Sequence, residues 1–278
     1  MPGRLACTGQ RNKRMKVTVV CQTGDEDTHR SGNVTRSTCS HKPNGNAAPT
    51  SVVTPRACLW TGAPRIVGKG EQGLEEYKFY RRMDSAAETL TDETLLARLA
   101  DPRIAAEAGD SATVDPAEAV ALYRRERASR GESAVAPELW FAIMTDRRFR
   151  VPSMRLAELH AAHRSATYAY LFTWKSPGWD GKRGASHEVN TPFVFGTYDI
   201  PYARGFVPPS AEVERLSRQM QDGWVTYART GSPRTAALPD WEPYTAARRS
   251  TMLLGTSCLA VDAPYETERR FWADATLT

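Results

Sequence analysis

Nowhere does this chain of 278 residues stay apolar for long. Its apolar runs, such as Val17-Thr18-Val19-Val20 and Phe193-Val194-Phe195, fall far short of the roughly 20 residues a membrane span needs. The basic N-terminus is not followed by an apolar stretch, so no secretory leader is read. No membrane contact is expected, and a cytoplasmic location follows by default. Cysteine is scarce, with five residues and no Cys-x-x-Cys pair. Cys7, Cys21, Cys39 and Cys58 lie too far apart for the usual zinc spacings, and Cys258 stands alone. A two-disulfide framework is conceivable, but no export signal favours it. Also missing is any Gly-x-Ser-x-Gly pentapeptide, the tight strand-to-helix elbow that presents a nucleophilic serine.

What is present suits a soluble globular body. The chain is 41% hydrophobic and 25% charged, and seven Trp, ten Tyr and eight Phe can furnish a core. Charge is unevenly placed. Residues 1–58 hold nine basic side chains against three acidic ones, more than the whole surplus of +5. A basic tail can bind nucleic acid, but a solvated tail is the preferred reading and nucleic acid is not an expected partner. Thr23–Asn33 and Ser40–Ser51 lack large apolar residues, so they cannot offset the entropy of ordering. Residues 1–73 are therefore read as an irregular basic segment, and residues 74–278 as the folded body.

Helix signals become dense in the body. Thr91-Asp92-Glu93 opens one helix. Asp115-Pro116-Ala117-Glu118 opens another, with an acidic N-cap and Pro at the first helical position. Pro152 opens a third. Ser210 caps a long helix with Val213, Leu216, Met220, Trp224 and Tyr227 on one stripe, which Gly231 ends. Strands are fewer. Tyr168–Trp174 is apolar on both faces, as a buried strand should be; Ser250–Leu254 and Leu259–Val261 follow. The pattern predicts an α/β layer fold with too few strands for a complete open sheet.

The most specific run is Gly184-Ala185-Ser186-His187-Glu188-Val189-Asn190-Thr191-Pro192-Phe193-Val194-Phe195-Gly196. A histidine on a loop after a buried strand can reach over the sheet edge as a general base. The run resembles the histidine motif of the type-B carboxylesterases, the para-nitrobenzyl esterase and cholinesterase kind of α/β-hydrolase. Tyr170–Pro177 is similar to the strand that precedes that motif. Asn190 stands where the family usually has a glutamate. Leu74-Glu75-Glu76-Tyr77-Lys78-Phe79-Tyr80 resembles the family's acid segment, without its Gly-Thr-Asn lead. Glu76 falls on the catalytic acid and Glu75 on its neighbour. Thr145–Pro152, Trp224–Gly231 and Leu238-Pro239-Asp240-Trp241 also look like the family, in the family's order.

The resemblance implies an incomplete α/β-hydrolase fold, its C-terminal strands and helices, and a serine carboxylic-ester hydrolase chemistry. Small-molecule carboxylic esters would be the substrates, with no metal or organic cofactor. His187 would move protons and Glu76 would orient it. The nucleophile is not found. Gly131-Glu132-Ser133-Ala134-Val135 comes nearest, but Val135 replaces the needed glycine, and Ser133 follows Glu76 where the family places its serine first. The chain is accordingly expected to be inactive alone, as a truncated or frame-shifted product. A non-catalytic esterase-like binding module is the alternative. Gly68-Lys69-Gly70-Glu71-Gln72-Gly73 fits a dinucleotide-binding Gly-x-Gly-x-x-Gly, yet lacks a βαβ context, and cofactor binding is not expected from it.

Overall fold

A computed structural model describes residues 65–67, 73–107, 114–163 and 166–274, all within one compact unit, Cys58–Thr278. The basic N-terminal tail with its four cysteines, and residues 68–72 of the glycine pattern, lie outside the described residues.

Four strands form the sheet of the described residues, in the order β1-β2-β3-β4. They are β1 (Arg65–Val67), β2 (Thr167–Phe172), β3 (Ser250–Leu254) and β4 (Leu259–Asp262). β1, β2 and β3 are parallel, and β4 returns antiparallel to β3. β1 falls inside the stretch read as irregular; its Ile66-Val67 pair favours extended backbone, and Ile66 registers with Tyr168. Gly73 continues that pairing through a parallel bridge to Phe172. β2 is buried along its whole length, which accounts for its lack of alternation.

The helices are α1 (Asp92–Leu99), α2 (Pro102–Glu107), α3 (Pro116–Ser129), α4 (Ala136–Thr145), α5 (Val151–Ala161), α6 (Thr191–Phe195), α7 (Pro201–Arg204), α8 (Ala211–Thr230) and α9 (Glu266–Asp274). Three of the four starts read from sequence are physical caps. Thr91 Oγ1 accepts from Thr94 N, Asp115 from Ala117 N and Ser210 from Val213 N. Gly231 ends α8 in the left-handed region, at φ 77°.

Two features differ from the sequence reading. Pro152 does not start a new helix, because α4 runs into α5 through a π-helical turn, Asp146–Arg150. Pro152 sits at the second position of α5, where the wider turn tolerates its missing N–H. The strand read as Tyr168–Trp174 runs from Thr167 and ends at Phe172.

Two apolar clusters hold these elements. One face of the sheet (Tyr168, Tyr170, Phe172, Met252, Leu254) packs on Phe193, Leu216, Met220 and Trp241. Among the helices, Leu95, Tyr123, Leu139, Trp140, Phe141 and Met144 gather around Tyr77 and Trp272. At the π turn a buried polar group is enclosed: Asp146 takes hydrogen bonds from Tyr123 Oη and from Arg150 Nε at 2.6 Å, and Trp272 Nε1 donates to Tyr123 Oη at 2.7 Å. Burial, with the charge of Asp146, pushes the Tyr123 phenol well above its ordinary pKa.

Candidate active site

Two connections converge at one end of β2. The chain leaving β1 passes Gly73 and Leu74, whose N–H donates to Phe172 O at 2.9 Å, and enters a 3-10 helix, Glu76–Arg82. The chain leaving β2 turns through residues 177–186 and carries His187 before α6. These connections are hydrogen-bonded to each other. Glu75 N–H donates to Ala185 O at 3.1 Å, and Ala185 N–H donates to Glu75 Oε2 at 3.0 Å. His187 N–H donates to Glu76 O at 3.4 Å.

The side chains meet at the same place. Glu76 is 1% exposed, and its Oε1 lies 2.5 Å from His187 Nδ1. Its second oxygen accepts from Gly73 N–H at 2.7 Å. An ionised carboxylate can only accept, so this contact puts the proton on Nδ1 and leaves a lone pair on Nε2. The imidazole itself is 37% exposed and packs edge-on against Phe79, with ring centroids 5.4 Å apart. A buried acid thus holds a ring that reaches solvent, the arrangement a proton shuttle requires.

Gly73, the last glycine of the Gly-x-Gly-x-x-Gly pattern, has a packing role here. A Cβ at Gly73 would come within 2.1 Å of Ala185 O and 2.6 Å of Glu76 Oε2. The missing side chain makes room for the histidine connection, and the N–H serves the acid.

Behind the pair lies a charged layer that the sequence reading did not identify. Glu75 is buried and pairs with Lys78 Nζ at 2.6 Å. Lys78 also reaches Glu138 at 2.9 Å, and Arg81 Nη2 reaches Glu138 at 2.6 Å. Burial alone would raise both carboxyl pKa values, but Lys78, with Lys175 and the Ala185 N–H, outweighs it at Glu75, and Lys78 with Arg81 holds Glu138 down at about 2. A carboxyl depressed by folding stabilises the fold fully above its unfolded value of 4.5, and that stabilisation is lost as pH falls towards about 2. In urea titrations run from about pH 5 to about pH 2, the acid loss due to Glu138 should reach at most about 3 kcal/mol. Glu138→Gln should flatten that part of the profile.

The other candidates fall elsewhere. Ser133 is exposed in the α3–α4 connection, where its carbonyl accepts from Arg127 Nε at 2.7 Å. The Gly131 that leads it has φ 69° and belongs to the turn that ends α3. Asn190 is 4% exposed and precedes α6. Its Oδ1 and the Ser186 Oγ are both buried without a hydrogen-bond partner. Among the described residues no group of three or more His, Cys, Asp or Glu is arranged to hold a metal, and no helix is long and apolar enough to cross a membrane.

Comparison with known proteins covers most of the same stretch of chain. The carboxylesterase family model matches residues 63–272. Para-nitrobenzyl esterase of Bacillus subtilis (strain 168) is 32% identical over 130 residues, 46% of this chain and 25% of that protein. Acetylcholinesterase of Bungarus fasciatus is 32% identical over 122 residues, 42% of this chain and 20% of that protein. A crystal structure of a Geobacillus stearothermophilus carboxylesterase superposes with a TM-score of 0.58 at 28% identity, covering 72% of this chain and 39% of that one. This chain therefore matches about a quarter of the length of such curated relatives, and its fold is the corresponding part of an α/β-hydrolase.

Proposed function

Because this chain belongs to the carboxylesterase family, we propose that Glu76 and His187 are the acid and base of a serine-dependent carboxylic-ester hydrolase site. The observation that carries this reading is the 2.5 Å contact between Glu76 Oε1 and His187 Nδ1. With Nδ1–H donated to Glu76, Nε2 takes the proton of an attacking serine hydroxyl as its oxygen bonds to the ester carbonyl carbon. The imidazolium is stabilised by the buried carboxylate. Nε2–H then protonates the departing alcohol, and the same cycle run with water releases the acid. No Gly-x-Ser-x-Gly occurs in the sequence, so the chain supplies the acid–base part of the site and not its nucleophile.

Purified alone, the chain should neither hydrolyse para-nitrophenyl acetate above background nor take up a fluorophosphonate probe. Labelling that disappears in Ser133→Ala would overturn the absence of a nucleophile. The role of the pair is tested by a chimera, in which the part of the Bacillus subtilis relative that precedes its counterpart of Arg65 is fused ahead of Arg65. Such a chimera should gain esterase activity and lose it about a thousandfold or more in His187→Ala. A folded chimera without activity would favour a non-catalytic binding module, to which the orphaned Asn190 and Ser186 oxygens also point.

A further inference from the structure

Among the buried arginines of the described residues, Arg183 departs from the rule that buried charge is paired. Arg81, Arg127 and Arg150 are 7%, 9% and 7% exposed, and each forms an ion pair with Glu or Asp. Arg183 is 7% exposed as well, but among the described residues it has no carboxylate within ion-pair distance, and its Nε is buried without a partner. Its nearest neighbours are aromatic. The guanidinium carbon lies 3.9 Å from the centroid of Phe206 and 4.9 Å from that of Trp179. Arg82, also without an ion pair, stands over the same Trp179 ring at 5.5 Å. Burial lowers the Arg183 pKa; the fields of Tyr202 and Glu188 oppose this, and the like charge of Arg82 adds to it.

Two guanidiniums sharing one indole, one of them desolvated, carry a local positive charge that no ion pair among the described residues neutralises. Cation–π contact compensates only part of the desolvation. Aromatic rings cover the guanidinium with apolar surface and offer no acceptor to its N–H edge. That edge is a planar fork whose geometry matches a carboxylate. The exposed ring of Tyr202, packed on Phe206 with centroids 5.5 Å apart, extends the apolar wall. Trp179 itself is held at φ 59°, a conformation costly for a bulky residue.

We propose that Arg183 and Arg82, arranged around Trp179, form a binding site for a small carboxylate carried on a flat apolar group. The site lies on the connection that delivers His187 but does not depend on any catalytic role for that residue.

Benzoate titrated into the full chain at low chloride, followed by NMR, should shift the Trp179 indole N–H saturably. Comparison with Trp179→Phe assigns the resonance. Benzyl alcohol, of the same shape without the charge, should give no saturable shift. Arg82→Gln changes an exposed residue and should weaken benzoate at least about tenfold, as should Arg183→Gln if it folds. Absence of a saturable shift, an equal response to benzyl alcohol, or unchanged affinity in Arg82→Gln would each overturn the site. Tighter binding of inorganic phosphate than of benzoate would overturn the ligand class.

Discussion

Gly184→Ala should cost this unit about 3–6 kcal/mol, a large share of the 5–15 kcal/mol that roughly spans ordinary domain stabilities. Two penalties combine. Gly184 has φ 58°, in the left-handed region, and a Cβ there would sit 2.0 Å from Glu75 Oε2 and 2.9 Å from Glu75 Cδ. The carboxylate cannot step aside cheaply, because it is buried, pairs with Lys78 Nζ at 2.6 Å and accepts from Ala185 N–H. Moving it would leave an ammonium group poorly compensated. Gly131→Ala is the control: its φ is 69° and nothing lies within 4 Å of the added Cβ, so only the backbone penalty of about 1–2 kcal/mol should appear. Urea midpoints for the two variants separate the clash from the conformational cost. Equal losses would show that Glu75 is not fixed where the structure has it.

Glu76→Gln should reverse the proton arrangement of His187 while keeping the fold. The glutamine carbonyl can still accept from Gly73 N–H, but its amide NH2 then faces Nδ1 and needs a lone pair there. The proton moves to Nε2, the nitrogen that the proposed chemistry needs as a base. Nitrogen-15 shifts of the imidazole should therefore exchange their protonated and unprotonated positions between the parent chain and Glu76→Gln. Stability should fall by about 1–3 kcal/mol, the cost of weakened buried hydrogen bonds. Glu76→Ala removes the acceptor for both donors and should cost about 2–5 kcal/mol. An unchanged imidazole spectrum in Glu76→Gln would mean that Glu76 does not set the tautomer, and the acid's assigned role would fall with it.

Features governed by local chemistry were legible in the sequence. Thr91, Asp115 and Ser210 announce helix starts because a side-chain oxygen and a nearby backbone N–H decide the cap within a few residues. β3 is read at its observed bounds, Ser250–Leu254, from its apolar run. His187 and Glu76 are legible only through resemblance to a family, since 111 residues separate them and no periodicity links an acid after one strand to a histidine after another. The same limit hides the Tyr123–Asp146–Arg150 group and the Lys78–Glu138 pairing, whose partners come from different elements. The helix α4 shows no stripe, because its residues are apolar nearly all round, and only Pro137 and Glu138 in its first turn mark it. Pro152 misleads for a physical reason: a π turn immediately before it absorbs what would otherwise be a helix break.

The hydrogen-bonded clasp between residues 73–76 and 184–187 has a consequence for ancestry and inheritance. The glutamate and histidine are fastened by the bonds that join two connections of the sheet, so folding alone penalises their replacement. A lineage that abandoned ester chemistry would still tend to keep both side chains in register for as long as it kept this architecture. Keeping the two side chains together therefore serves the fold first, and no reaction is needed to maintain it.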